Sequence, residues 1–288
     1  MARFASPCSA RRSTVAVLLA AALFAAACGD NAPARQQAAL PSARSLSDTL
    51  AYRVERVDAQ RGDCADPVFD CLTVTLSRPV FTGSGPAAIR LNDSLNARIL
   101  APLDGGPVPD SAPAFVDAVD AAFRDLKRAF PERPLPGWSV ERHAAVLRNG
   151  PVLISLRIDE TLYTGGAHAL STETLWMLDP ATAEFRTLAD LCAPGDMAAL
   201  TRLAERHFRR SRNLSPGASL EAAGFRFDGG ASFTLPEQAA VTADGLRLHY
   251  NPYEIAAYAL GATTLTIPAT ELLEELAADS PLHTLLEK

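Results

Sequence analysis

The sequence lacks the basic excess that nucleic-acid-binding proteins usually carry. Its 288 residues contain 27 lysines and arginines together against 33 aspartates and glutamates, for a formal net charge of -6. Lysine occurs only at Lys127 and Lys288, so nearly all of the positive charge comes from arginine. We therefore expect no nucleic acid among the partners of this chain.

Signatures of the common catalytic and cofactor sites are also missing. The chain contains no G-x-S-x-G elbow, no phosphate-binding Walker loop, no H-E-x-x-H and no C-x-x-C. The histidines are scattered without the spacing of metal ligands: His143, His168, His207, His249 and His283. We expect no metal, no cofactor and no enzymatic activity.

No apolar run approaches the roughly 20 residues that a membrane-spanning helix needs. The apolar run Val15–Ala27 follows several arginines and ends in small residues before Cys28, which is typical of a secretory signal peptide. The ending F-A-A-A-C resembles the lipobox of bacterial lipoproteins. Residues 1–27 are therefore predicted to be a lipoprotein signal peptide, with Cys28 acylated (palmitate among the acyl chains). Ordinary A-x-A cleavage, with an incidental Cys28, is the alternative.

Residues 28–48 are polar, rich in alanine, proline and serine, and without apolar periodicity. This composition predicts a flexible tether between the lipid and a folded body. We expect the protein in the cell envelope, extracytoplasmic and attached to the membrane only through lipid. Gly29 stands where some Gram-negative lipoproteins carry an inner-membrane retention aspartate, which favours the outer membrane in such a cell.

Two cysteines in the short polar stretch RGDCADPVFDC, Cys64 and Cys71, are predicted to pair as a disulfide in this oxidising compartment. Two free thiols are the alternative. Cys192 has no obvious partner and is expected to be a buried small hydrophobic residue.

The periodicities predict an α+β fold of mostly antiparallel sheets with packed helices. Residues 71–81 alternate as a strand, and residues 88–99 and 115–130 carry apolar residues at helical spacing. The chain is expected to divide into two α+β subdomains, residues 49–135 and 136–288.

The second half contains the clearest local signals. Asn149-Gly150 predicts a type I′ hairpin, followed by a strand whose inward face begins at Val152. Asp196 is a candidate N-cap for a helix. Further strands are predicted around Phe225–Phe227, Ser232–Leu235, Leu246–Tyr250 and Thr263–Ile267, with a closing helix over Ala269–Ala278.

The segment YTGGAH, from Tyr163 to His168, is the first candidate site. Its paired glycines, Gly165 and Gly166, permit backbone conformations closed to other residues, so the loop can approach a ligand closely. The alternative is a steric requirement of a sharp hairpin, with His168 hydrogen-bonded to backbone.

The segment GLRLHYNPYEIAAY concentrates three of the five tyrosines, Tyr250, Tyr253 and Tyr258, around Glu254. Tyrosines combine an apolar ring with a polar tip and are frequent at interfaces. The alternative is a strand edge whose tyrosines close the core, with Glu254 bonded to local backbone donors.

Together, YTGGAH, LADLC, GLRLHYNPYEIAAYALG and IPATELLEEL resemble the RsiV-like domain of bacterial extracytoplasmic proteins, the DUF3298 group. The preceding RPVFTG and a helix with Asn92 or Asn96 are similar to the companion DUF4163 group. Cys192, where the group more often has a large apolar residue, and the Cys64–Cys71 insertion depart from these patterns.

The resemblance implies a binding role. The best-understood member is a membrane-bound anti-sigma factor whose outer domain binds lysozyme, and other members precede a peptidoglycan deacetylase domain. We expect a lipid-anchored envelope binding or sensing module for peptidoglycan, a lysozyme-like hydrolase or another envelope protein. The alternative is an envelope hydrolase with His168 as general base oriented by Glu254. A structural role in envelope assembly is a third hypothesis.

Overall fold

The computed structural model describes residues 50–65, 68–227, 230 and 232–287. The predicted signal peptide, Cys28 and the predicted tether lie outside the described residues. All described residues belong to one compact unit, Ser42–Lys288. None of the helices in this described part is both long enough and apolar enough to cross a membrane.

The predicted α+β class is confirmed, with five α-helices and two mostly antiparallel sheets in the described residues. The first sheet contains five strands: β1 (Tyr52–Gly62), β2 (Cys71–Phe81), β3 (Trp138–Asn149), β4 (Ile154–Tyr163) and β5 (Leu170–Leu178). The second contains three: β6 (Gln238–Val241), β7 (Gly245–Tyr250) and β8 (Thr263–Pro268). The helices are α1 (Pro86–Ile99), α2 (Ala112–Ala129), α3 (Asp196–Ser211), α4 (Ala269–Glu275) and α5 (Pro281–Leu286).

The strands of the first sheet follow chain order, and one of their pairings is parallel. β2 pairs with β3 in parallel, with Leu72 opposite Trp138, whereas the other neighbours are antiparallel. The connection between β2 and β3 runs through α1 and α2, because parallel strands need a crossover rather than a tight turn. The subdomain boundary predicted at 135/136 falls within this crossover, and the sheet continues across it.

The first hydrophobic core lies between this sheet and the helices α1 and α2. The alternation of β2 buries Leu72, Val74 and Leu76, and the helical spacing of α1 buries Leu91 and Leu95. Ser111 begins α2 as its N-cap, where its hydroxyl accepts a hydrogen bond from Ala114 N at 3.3 Å. The apolar periodicities in the sequence therefore face this core.

The second core lies between the second sheet, α3 and the last helices. Phe208 of α3 is fully buried, and the rings of Phe225, Phe227 and Phe233 pack around it. Met177 of β5 also belongs to this core. The last strand of the first sheet therefore contributes to the second core.

The disulfide between Cys64 and Cys71 is present, with a Cα–Cα distance of 4.7 Å, and joins the end of β1 to the start of β2. Cys192 is a free, half-buried thiol. Burial and the nearby Asp196 carboxylate raise the pKa of this thiol to about 11. The thiol is therefore protonated and unreactive at neutral pH.

The hairpin predicted at Asn149-Gly150 is present as the antiparallel β3–β4 pair, but the predicted type I′ turn is wrong. Asn149 is the last residue of β3 and pairs with Ile154, so the loop is four residues long and Gly150 N donates to Leu153 O at 3.0 Å. Neither Asn149 nor Gly150 has a positive φ, which a type I′ turn requires. Val152 lies in this loop and is exposed, so it does not belong to the inward face of β4.

Other predicted boundaries in the second half also shift. Gly195, in the left-handed region at φ 96°, is the N-cap of α3, and Asp196 is its first residue. The Asp196 carboxylate accepts hydrogen bonds from Ala193 N at 2.8 Å and Ala277 N at 3.0 Å, which joins α3 to the segment after α4. The closing helix α4 stops at Glu275 rather than Ala278.

The strands predicted around residues 225–227 and 232–235 are wrong. Their phenylalanines are buried in the second core without strand pairing, apart from one bridge between Phe227 and Gly230. Strand β6 was not predicted because Gln238–Val241 is short and its last three residues are buried together rather than alternating. Burial on both faces removes the alternation on which strand prediction depends.

Candidate ligand-binding surface

The loop from Tyr163 to His168 joins β4 to β5 and is closed by its own tyrosine. Gly165 and Gly166 have φ of +97° and +123°, conformations that favour glycine. The hydroxyl of Tyr163 donates to Gly166 O at 3.2 Å. The paired glycines are therefore needed by the turn itself, and the turn leaves His168 exposed two residues before the start of β5.

His168 stacks on a tyrosine that lies far away in the sequence. The rings of His168 and Tyr258 are nearly parallel, with centroids 3.7 Å apart and an interplanar angle of 13°. The Tyr258 hydroxyl donates to Ala169 O at 2.9 Å, which fixes this ring against the loop. Tyr253 lies next to Tyr258, with ring centroids 5.4 Å apart. We call His168, Tyr253 and Tyr258 the aromatic patch.

Tyr253 is the most exposed ring of the patch and has an unusual backbone. Its relative exposure is 61%, and its φ is 70°, in the left-handed region. A bulky residue in this region is an outlier, and such conformations cost of order 1–3 kcal/mol. The fold therefore holds an exposed aromatic side chain in a conformation that glycine or asparagine would adopt more easily.

Asn251 fixes the segment that carries Tyr253 and Tyr258. Its Oδ1 accepts from Glu173 N at 2.7 Å, and its Nδ2 donates to Glu173 O at 3.0 Å, so it binds β5 as another strand would. Glu254 in turn accepts from Asn251 N at 2.7 Å through its carboxylate. Sequence reasoning gave Asn251 no role, because its partner lies 78 residues away.

Tyr250 does not belong to the aromatic patch. It is fully buried in the second core, beside Phe208, Phe227 and Phe233, and its hydroxyl donates to Thr234 O. Burial, and secondarily the charge of Glu254, raises the pKa of the Tyr250 hydroxyl. For Tyr250, the alternative interpretation of a core-closing tyrosine is the correct one.

A buried ionic cluster lies behind Asn251, between the two sheets. Arg247 of β7 donates two hydrogen bonds to the Glu173 carboxylate of β5, and His249 Nδ1 lies 3.5 Å from the same carboxylate and 2.8 Å from the Thr264 hydroxyl. Burial lowers the pKa of His249, and burial raises the pKa of Asp159, which pairs with Glu173 across β4 and β5. The cluster supports the strand that holds Asn251.

The hydrolase hypothesis requires His168 as a general base oriented by Glu254, and the structure gives the hydrogen bonds of both residues. His168 Nδ1 lies 3.1 Å from Ala169 O, so a donating Nδ1 leaves Nε2 as the acceptor of the ring. Glu254 accepts from Asn251 N, as the alternative interpretation of this residue anticipated. Among the described residues, no group of three histidine, cysteine or carboxylate side chains is arranged to hold a metal ion.

Comparison with known proteins relates this chain to a family without an assigned function. Residues 189–270 match the family described as "Protein of unknown function (DUF3298)". This match covers α3, the second sheet and the start of α4, and it includes Tyr253 and Tyr258. No curated protein matches the chain.

Two solved structures of DUF3298 proteins have a similar fold. One, from Bacteroides fragilis, is 22% identical with a TM-score of 0.58, covering 83% of this chain and 99% of that chain. Another, from Pseudomonas aeruginosa PAO1, is also 22% identical with a TM-score of 0.54, covering 78% of this chain and 94% of that chain. Both alignments cover a larger share of the chain than the residues that match the family.

Proposed function

We propose that this protein is a lipid-anchored binding module of the cell envelope that recognises peptidoglycan through the aromatic patch. Lipid on Cys28 holds the module at the membrane, and the tether of residues 28–48 lets the folded unit bind ligands at a distance from the membrane surface. The observation that carries the proposal is the exposed ring of Tyr253 at a positive φ. Costly backbone conformations cluster at functional sites, where the surrounding structure maintains them.

The chemistry of the patch suits a glycan. Sugar rings present apolar C–H faces that pack against aromatic rings, while ring nitrogens and hydroxyl groups bond to sugar hydroxyls. The stack of His168 on Tyr258 offers such a face in a fixed orientation, with Tyr253 beside it. Because hydrogen bonds to Ala169 and Glu173 hold the patch in place before binding, little conformational entropy is lost when a ligand binds.

Calorimetric titration of the Ser42–Lys288 unit with soluble peptidoglycan fragments tests this proposal. We expect saturable binding that Tyr253→Ala weakens by about tenfold or more, as for a central aromatic contact. His168→Ala should also weaken binding, because it removes the partner of Tyr258. Phe130→Ala is the matched control, since Phe130 is an exposed aromatic ring outside the patch. Equal affinity in Tyr253→Ala and the native unit would overturn the proposal.

Two further arms separate the other hypotheses. Titration with purified lysozyme examines the protein ligand that the resemblance implies, and binding of lysozyme alone would replace peptidoglycan as the ligand. Incubation with peptidoglycan, followed by measurement of released reducing ends, examines hydrolysis. Release that disappears in His168→Ala would support the hydrolase instead.

A further inference from the structure

An open apolar cleft lies on the side of the first core, separate from the aromatic patch. It has a volume of about 300 Å³ and is lined by α2, the loop after α1, the first residue of β3 and the end of β4. This volume is at the lower end of the range for small-molecule sites. The half-buried ring of Trp138 lines the cleft, and the buried ring of Phe115 lies in its wall.

A buried arginine fixes two walls of this cleft. The guanidinium of Arg142 donates to Ile99 O at 2.9 Å and Ala101 O at 2.6 Å, which holds the end of α1 and the loop that follows. The same guanidinium lies over the ring of Phe115, 5.0 Å from its centroid. The cleft is therefore bounded by fixed elements rather than by loosely packed loops.

One exposed carboxylate without an ion-pair partner in the described residues lines the cleft. Asp104 is the only ionisable side chain among the residues that line it. Within the described residues its carboxylate forms no ion pair; Oδ1 accepts a hydrogen bond from Gly106 N at 3.0 Å. By contrast, Glu160 on neighbouring β4 is paired with Arg142 and Arg98. A single carboxylate beside an apolar cleft with two aromatic rings attracts a cation that also has an apolar body.

We propose that this cleft binds an amphiphilic amine, a small molecule with an apolar body and a positively charged nitrogen. The apolar body lies against the accessible lining residues Trp138, Leu162 and Ala122, and the nitrogen lies at the Asp104 carboxylate. Thr164 also lines the cleft, and it belongs to the same loop as His168. The site is nevertheless distinct from the aromatic patch, and the inference stands whether or not peptidoglycan binds there.

Trp138 provides a local signal for binding. The chain has only two tryptophans, and the other, Trp176, lies in β5 against Phe185. In a Trp176→Phe background, the fluorescence of the Ser42–Lys288 unit therefore reports Trp138 alone. We would titrate decyltrimethylammonium, decyl sulfate and tetramethylammonium, each below the concentration at which micelles form.

We expect a saturable change in fluorescence with decyltrimethylammonium and much weaker responses to the other two probes. Asp104→Asn should weaken the affinity for decyltrimethylammonium by up to about fivefold, the upper end for an exposed ion pair. Ala118→Phe should abolish binding because the new ring fills the cleft, and it leaves Trp138 as the only tryptophan in this background. Ala121→Phe is its matched control, since both alanines are exposed on α2 but only Ala118 lines the cleft.

Three results would overturn the inference: equal affinity for decyl sulfate, unchanged affinity in Asp104→Asn, or binding that persists in Ala118→Phe. Calorimetry in the same background confirms that the fluorescence change is binding. Tyr253→Ala should leave the affinity for the amine unchanged. Loss of the amine-binding proposal and loss of the peptidoglycan-binding proposal would therefore be observed in separate experiments.

Discussion

Arg247 and Glu173 join the two sheets through two parallel hydrogen bonds, 2.8 Å from Nε to Oε1 and 2.5 Å from Nη2 to Oε2. The side chain of Glu173 is only 9% exposed and that of Arg247 is 22% exposed. Bidentate pairs of this kind are among the stronger polar contacts in proteins. Removing one partner leaves the other largely buried without its counter-charge.

Glu173→Gln should therefore lower the free energy of unfolding by about 3 kcal/mol, because breaking a buried pair leaves an uncompensated charge. Urea unfolding measures this change. Glu275→Gln is the control: Glu275 pairs with Arg206 at 2.6 Å, but their side chains are 34% and 50% exposed, so the cost should stay below about 1 kcal/mol. An equal loss in the free energy of unfolding for the two variants would show that the buried pair stabilises the fold no more than the exposed pair does.

His249 should make the protein less stable as the pH falls. Burial lowers its pKa from the ordinary 6.5, so between 6.5 and the lower folded value the unfolded chain binds more protons than the folded one. Stability is then present above pH 6.5 and decreases as the pH falls below it. The charged groups facing the ring are Glu173, Arg247 and Asp159.

His249→Gln should flatten this loss of stability, measured as the free energy of unfolding at pH 7.5, 6.5 and 5.5. Asp159 acts in the opposite direction, since its pKa is raised above 3.8 by burial. Asp159 therefore increases the stability as the pH falls from its raised folded pKa toward pH 3.8. An unchanged slope between pH 6.5 and 5.5 in His249→Gln would exclude His249 as the cause.

Tyr253→Gly should stabilise the fold while it weakens ligand binding. Glycine adopts a φ of 70° without the steric cost that tyrosine meets there, so the free energy of unfolding should rise by up to about 1 kcal/mol, with glycine's greater entropy in the unfolded chain offsetting part of the gain. Thermal unfolding and peptidoglycan titration together measure both effects. Tyr253→Phe keeps the ring and should keep the affinity. A destabilised Tyr253→Gly would contradict the assignment of strain to this residue.

Cys28→Ser should release the protein from the membrane fraction and abolish incorporation of labelled palmitate. The reason is that lipid on Cys28 is the proposed attachment of the chain. Metabolic labelling of cells that express either form makes the measurement. Cys192→Ser is the control, because Cys192 is half-buried in the folded unit with a raised pKa. Label that persists in Cys28→Ser would assign the lipid to another residue.

Local patterns predicted the parts of the fold whose burial follows a single period. The alternation of Leu72, Val74 and Leu76 gave β2, and the spacing of Leu91 and Leu95 gave α1. The prediction of a two-residue turn at Asn149-Gly150 was wrong because the next residue is Pro151. Proline has no N–H for the ladder of a strand beginning directly after a two-residue turn, so the loop is longer.

The candidate surface was predictable only in part. Tyr250 lies on the same face of β7 as Leu246 and Leu248, and this alternation alone predicts that its side chain is in the core. The stacking of His168 on Tyr258 could not be predicted, because it depends on Asn251 binding the edge of β5. Contacts between distant segments leave no periodic signal in the sequence.

The parallel pairing of β2 with β3 sets the order in which the chain can fold as it is synthesised. The β1–β2 hairpin cannot gain its third strand until residues beyond 138 are available. The edge of β5 gains these hydrogen-bond partners only after Gln238 and Asn251 have been synthesised, because their side chains accept from Leu175 N and Glu173 N. A nascent chain that ends at residue 200 therefore has an incomplete sheet edge and an incomplete second core. Folding is completed late, from contacts between distant parts of the chain, and such non-local contacts slow it.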